Sequence, residues 1–233
     1  MATSTWLPYY VVAGTVFMIS SMAFVFARLP MNGGRSLTRF ASTLIILTAW
    51  LAVAAWLGRL GFYNGAAHKY PTIEIGLGVP ILASLALFMT RTGRRLVHDI
   101  SQRELVSLQF YRVLGGIFLF LWSQGQIPAL FAWPAGIGDI IIGLSAPFVA
   151  RGGNKDAIRL WNILGLVDLV IAVGTGFMTS PSQFQLFAFD HPNLMITAFP
   201  LVVVPTFLVP ASIVLHILSL RKLAEPDATR TDT

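Results

Sequence analysis

The sequence predicts an all-α, polytopic integral membrane protein of seven transmembrane helices, N-terminus outside and C-terminus cytoplasmic. Three observations predict it. Of the 233 residues only 11% are charged and 55% are hydrophobic, with a mean hydropathy of +0.73, whereas a soluble domain carries about 25% charged residues. The apolar residues fall in blocks of roughly twenty, the length that crosses a hydrocarbon core of about 30 Å. The basic residues gather in alternate loops. This composition excludes disorder, a coiled coil and an ordinary soluble enzyme.

The spans are expected at about 6–27, 40–58, 71–90, 105–123, 131–150, 159–178 and 194–220, within one domain over 1–222. A short polar cytoplasmic tail, 223–233, follows. Trp6 to Ala27 carry no charge, and no Lys or Arg precedes them. That stretch exceeds the apolar core of a signal peptide, about 7–15 residues, and reads as a retained first span. The third span contains Glu74 and Pro80. The seventh carries Pro200, Pro205 and Pro210, which predict either a bent helix or a gate hinge, since a proline frees a backbone carbonyl. The segments 123–135 and 179–193 mix aromatic and polar residues, as an aromatic belt or a lid over an outward cavity would.

Charge placement supports the count. With the N-terminus outside, the cytoplasmic segments hold Arg28, Arg35 and Arg39, then Arg91, Arg94, Arg95 and Arg103, then Arg151, Lys155 and Arg159, and finally Arg221, Lys222 and Arg230. These are thirteen of the sixteen basic residues. The outer loops hold Arg59 and Lys69. One missed helix would invert every later loop and destroy this asymmetry. The net charge of +6 is therefore explained by topology, and nucleic acid is not an expected partner.

Several chemistries lack their residues. There are no cysteines, hence no disulfide, thiolate metal site or cysteine nucleophile. His68, His98 and His191 lie in separate loops, and no metal-binding spacing occurs. Ser145 and Ser212 have no neighbouring base. Lys69, Lys155 and Lys222 all lie outside the membrane centre, which disfavours retinal. No cofactor, metal or catalytic residue is expected, and an enzyme is the less favoured class.

Three charged residues fall inside spans, where each costs about 2.5–3.5 kcal/mol on the insertion scale and needs a partner or a wet cavity. Arg112 and Asp168 lie about 12 and 14 Å from the cytoplasmic ends of their spans, and Asp139 about 12 Å from the outer end of its own, at 1.5 Å per residue. All three approach the midplane. Ala132, Gly136, Asp139, Gly143 and Ala146 form a small-residue stripe, as do Asn162, Gly165, Asp168, Ala172 and Gly176. Such stripes let helices approach closely, so both acids are expected to face protein. Gln109 lies one turn before Arg112. The expected binding centre is Arg112, Asp139, Asp168, Gln109 and Asn162, with Glu74 and His216 as secondary candidates.

The run PALFAWPAGIGDIIIGLSAP at 128–147 resembles a segment of small, uncharacterised bacterial multi-span membrane proteins sharing a PAGxGD-type span. That resemblance implies the plasma (inner) membrane and no particular activity. The residues themselves support two readings. The first is a small-solute or ion-coupled transporter or solute-binding protein, with a small polar solute or a proton at the midplane cluster. The alternative is a non-catalytic accessory or interaction subunit, with a protein partner or a homo-oligomer, whose charges serve helix packing. In both, the lipid bilayer is the surrounding partner.

Overall fold

The computed structural model describes residues 5–29, 36–65, 67 and 72–225, and among them there is no strand. Arg35, His68, Lys69, Arg230 and most of the polar tail lie outside the described residues. Eight helices follow one another: α1 Leu7–Ala27, α2 Ser36–Arg59, α3 Thr72–Met89, α4 Arg91–Asp99, α5 Gln102–Ser123, α6 Ala129–Gly152, α7 Lys155–Thr179 and α8 Val204–Leu223. Seven of them, all but the short α4, are long and apolar enough to cross a membrane.

Helix starts follow local hydrogen-bond chemistry. α5 begins on a capping box in which Ser101 Oγ accepts from the Glu104 N–H and a Glu104 carboxylate oxygen accepts from the Ser101 N–H. This pairing satisfies two of the donors that every helix N-terminus leaves open. Asn154 caps α7 by accepting from the Ala157 N–H at 2.8 Å. α4 is capped by Thr90. A Cβ on its Gly93 would lie within 2.6 Å of the Phe88 Cα, so the α3–α4 corner requires glycine.

α5, α6, α7 and α8 form the centre of the molecule. α6 packs along α5 and α7, and α8 closes against α7. Half of α5 (50%) and of α8 (56%) is buried inside protein, against 6% of α2. α1 and α2 pair with each other at the periphery, while α3 leans on α4 and α8. The outer surface carries large apolar side chains such as Ile45, Trp56, Phe148 and Val170, an arrangement compatible with a bilayer as the surrounding solvent.

Two helices depart from α geometry. Leu108–Gly116 of α5 is a 3-10 segment ending at Gly115 and Gly116, which hold a helix least firmly. α8 opens with a π-helical turn, Val204–Leu208. It begins about ten residues later than the hydropathy of 194–220 suggests. Residues 194–202 form turns and bends instead, where Pro200 withholds a backbone donor. Asn193 anchors this stretch, its N–H donating to the Thr179 carbonyl at 2.9 Å. Pro210 cannot donate to the carbonyl four residues earlier, that of Thr206. Trp50 Nε1 donates to it instead at 3.0 Å, and the Tyr111 hydroxyl donates to the Leu208 carbonyl at 2.8 Å.

The Trp50 bond generates a prediction. Trp50→Phe leaves the Thr206 carbonyl without that donor, at a cost of about 1–3 kcal/mol for a buried group. The melting temperature of the purified variant falls, while Trp56→Phe, at a position 61% exposed, leaves it unchanged.

Candidate functional site

The 3-10 winding of α5 determines what faces the centre. With three residues per turn, side chains at i and i+3 eclipse, so Gln109, Arg112 and Gly115 stand in one row. Arg112 is the middle member, and its side chain is 2% exposed. Its Nε donates to Asp139 Oδ1 on α6 at 2.7 Å, and its Nη2 is paired with Asp168 Oδ2 on α7. Nη1 faces His216 Nε2 on α8 at 3.2 Å and reaches the Gly165 carbonyl at 3.4 Å. One guanidinium thus joins four helices.

The network continues along α8. An arginine N–H only donates, so His216 Nε2 accepts from Arg112. Its Nδ1 then carries the proton and donates to Asn162 Oδ1 at 2.8 Å, a tautomer assigned by donor accounting. Asn162 Nδ2 donates to the Ile158 carbonyl and to Ser219 Oγ, both at 2.8 Å. Gln102 Nε2 also donates to Ser219 Oγ. The Trp161 indole lies against the imidazole with ring centroids 5.2 Å apart.

Glycines make room for each polar contact. A Cβ on Gly115 would strike the Asp139 side chain, one on Gly138 would strike Asp168, and one on Gly165 would strike His216. A Cβ on Gly143 would come within 2.5 Å of the Val113 nitrogen, so α5 and α6 touch backbone to backbone beside the arginine. The stripes of small residues therefore seat charged groups as well as bringing helices together.

Asp139 and Asp168 are not fully enclosed, with side chains 18% and 15% exposed. Asp139 lines two adjoining cavities. The first is walled also by Glu74, Phe118, Phe131, Leu169 and the Ser180–Phe184 segment, and offers about 60 Å³ to the centres of water-sized spheres. The second, about 40 Å³ on the same measure, lies towards Tyr10, Tyr111 and Ser212. One water needs about 10–15 Å³ on this measure, so each cavity holds a few waters. Among the described residues no group of three or more His, Asp or Glu is placed to hold a metal ion.

The structure brings Arg112, Asp139, Asp168, His216 and Asn162 into one network. Gln109 stands apart from the carboxylates: its Nε2 donates to the Ser212 carbonyl at 3.0 Å, and its Oε1 accepts from Ser212 Oγ at 2.6 Å. Glu74 is half-buried and belongs to the wall of the first cavity. Sequence reasoning missed Tyr111, Gln102, Ser212 and Ser219. The spacing of Ser212, His216 and Ser219, at i, i+4 and i+7, marks one face of a helix and could have revealed the polar stripe on α8.

Two predictions follow from this geometry. Gly138→Ala and Gly165→Ala each lower the melting temperature, whereas Gly174→Ala, at a position open to 4 Å, leaves it unchanged or raises it. Arg112→Met strands two carboxylates and costs about 3–5 kcal/mol, the range for breaking a buried pair. Adding Asp139→Asn to Arg112→Met restores part of that loss in the same melting assay, because one stranded charge is removed.

No curated protein and no solved structure matches the chain. A family profile matches residues 70–224, a stretch that contains Arg112, Asp139, Asp168, Asn162, His216 and Glu74. On that match the chain belongs to the family described as Domain of unknown function (DUF8737).

Proposed function

We propose that the protein lies in the plasma (inner) membrane of a bacterial cell, N-terminus outside and C-terminus cytoplasmic, and serves ion-coupled transport or binding of a small polar solute. Its working centre is Arg112 with Asp139 and Asp168. The observation that carries this reading is the double position of Asp139, bound to Arg112 Nε and at the same time part of the wall of both cavities.

Charge and volume point to the species handled. Two ionised carboxylates on one guanidinium leave a surplus negative charge, costly where water is scarce. A proton or a small cation neutralises it. Space for a few waters suits a proton better than an organic molecule. Glu74 on the wall of the first cavity supplies a second carboxylate beside Asp139 in its lining. The Ser180–Phe184 segment walls the same cavity, where a lid formed by 179–193 would stand.

One observation favours the second reading, an accessory or interaction subunit. Each nitrogen of the Arg112 guanidinium already has a partner, as a purely structural lock requires.

Melting temperatures separate the two. Wild type, Asp139→Asn and Asp168→Asn are compared against a panel of metabolites and ions at two pH values. Asp139→Asn keeps an Oδ1 that accepts from Arg112 Nε, so the fold is expected to persist. The transport reading expects a saturable ligand-dependent or pH-dependent shift in wild type that the folded Asp139→Asn lacks. No shift in wild type, with both variants merely melting early, overturns it in favour of the structural lock.

A further inference from the structure

The α5–α6 and α7–α8 connections show opposite faces to their surroundings. At the first, Ser123, Gln124 and Gly125 are exposed and Ile127 is buried, as a loop in water requires. At the second the pattern inverts. Phe184, Leu186, Phe187 and Phe189 are 46%, 59%, 50% and 70% exposed, while Asn193 is fully buried. Scattered apolar residues on a surface need no explanation, but a contiguous group marks a place of interaction.

Backbone hydrogen bonds fix the level of this group. The N–H groups of Leu186 and Phe187 both donate to the Met178 carbonyl, each at 2.9 Å, so the segment is tied back onto the last turn of α7. After its last basic residue, Arg159, α7 runs from 160 to 179. Those residues rise about 30 Å at 1.5 Å each, the thickness of a hydrocarbon core, and Asp168 stands near their middle. The Met178 carbonyl therefore falls at the edge of the hydrocarbon, and residues 186 and 187 are held at that level.

We propose that residues 184–189 anchor the α7–α8 connection in the lipid leaflet, with Phe184, Leu186, Phe187 and Phe189 seated where headgroups meet acyl chains. Lipid is what a segment at this level meets, and aromatic side chains favour that boundary. No Lys or Arg lies between Thr179 and Leu194, so the seating comes from apolar area alone and is indifferent to headgroup charge. The inference rests on membrane placement and not on solute coupling at Asp139. It also assigns a consequence. Phe184 lines the cavity that contains Asp139 and Glu74, so the leaflet supports one wall of that cavity from outside.

The sequence has no cysteine, so one introduced thiol carries a nitroxide spin label at a single place. Phe187→Cys, Phe189→Cys, Gln124→Cys and Val170→Cys, all at exposed positions, are labelled in the full chain and checked by melting curves. Each is reconstituted into phosphatidylcholine vesicles with and without phosphatidylglycerol. Collisions with oxygen, which enters lipid, are compared with collisions with a nickel chelate, which stays in water. Labels at 187 and 189 are expected to give an oxygen-to-nickel ratio several-fold above that at 124 and below that at 170. That corresponds to a depth of about 5–10 Å, the same in both kinds of vesicle. A ratio at 187 and 189 equal to that at 124 overturns the proposal. So does line broadening that vanishes when labelled chain is diluted with unlabelled chain, since the segment then covers a second copy. A ratio at 170 no higher than at 124 overturns the membrane placement itself.

Discussion

The Arg112 guanidinium is the interaction on which the rest of the structure depends. It joins α5, which carries it, to α6, α7 and α8 together, through Asp139, Asp168, the Gly165 carbonyl and His216. Apolar packing alone gives membrane helices little preference for one register, because lipid tails are as apolar as leucine. A charge with three directed donors imposes a register on each helix it touches. The glycines at 115, 138 and 165 are the complement of that constraint, since each marks where a backbone yields space to a polar head. Around this centre the fold grows less constrained outward, ending in α2, which has little of its surface against protein.

α8 shows how backbone irregularity and side-chain donors are matched. Pro210 removes the donor to the Thr206 carbonyl, which Trp50 replaces, and Tyr111 and Gln109 add side-chain donors to the Leu208 and Ser212 carbonyls. Away from water an unfilled carbonyl is expensive. The opening turns of α8 are thus held by α2 and α5 as much as by their own hydrogen bonds. The same α5 segment supplies Gln109, Tyr111 and Arg112, so the wall of the centre and the support of α8 are one piece of chain.

Much of this was legible in the sequence, and the failures have physical causes. Span number followed from hydropathy and charge because both are long-range averages. Arg112, Asp139 and Asp168 stood out because a charge in an apolar block is costly wherever it points. Gln109 stands one turn from Arg112 as the sequence expects, and its amide is engaged by Ser212. His216 stood only among the secondary candidates, in a span expected to start at 194. The helix begins at Val204, which moves the polar stripe inward. α4 has too few apolar residues to register as a span, although Thr90 is a readable cap. The aromatic and polar mixture of 179–193 left a belt and a lid open, because which side chains wall a cavity depends on contacts between distant segments.

The winding of α5 stores a length difference. Nine residues, Leu108–Gly116, are wound with three residues per turn, and that form rises about 0.5 Å more per residue than an α-helix. Rewinding the segment would shorten α5 by roughly 4–5 Å. It would also rotate Arg112 relative to Gln109 by about 60°. Arg112 sits at the middle of that segment, which ends on the Gly115–Gly116 pair. A change of winding there would alter how the guanidinium meets Asp139 and Asp168.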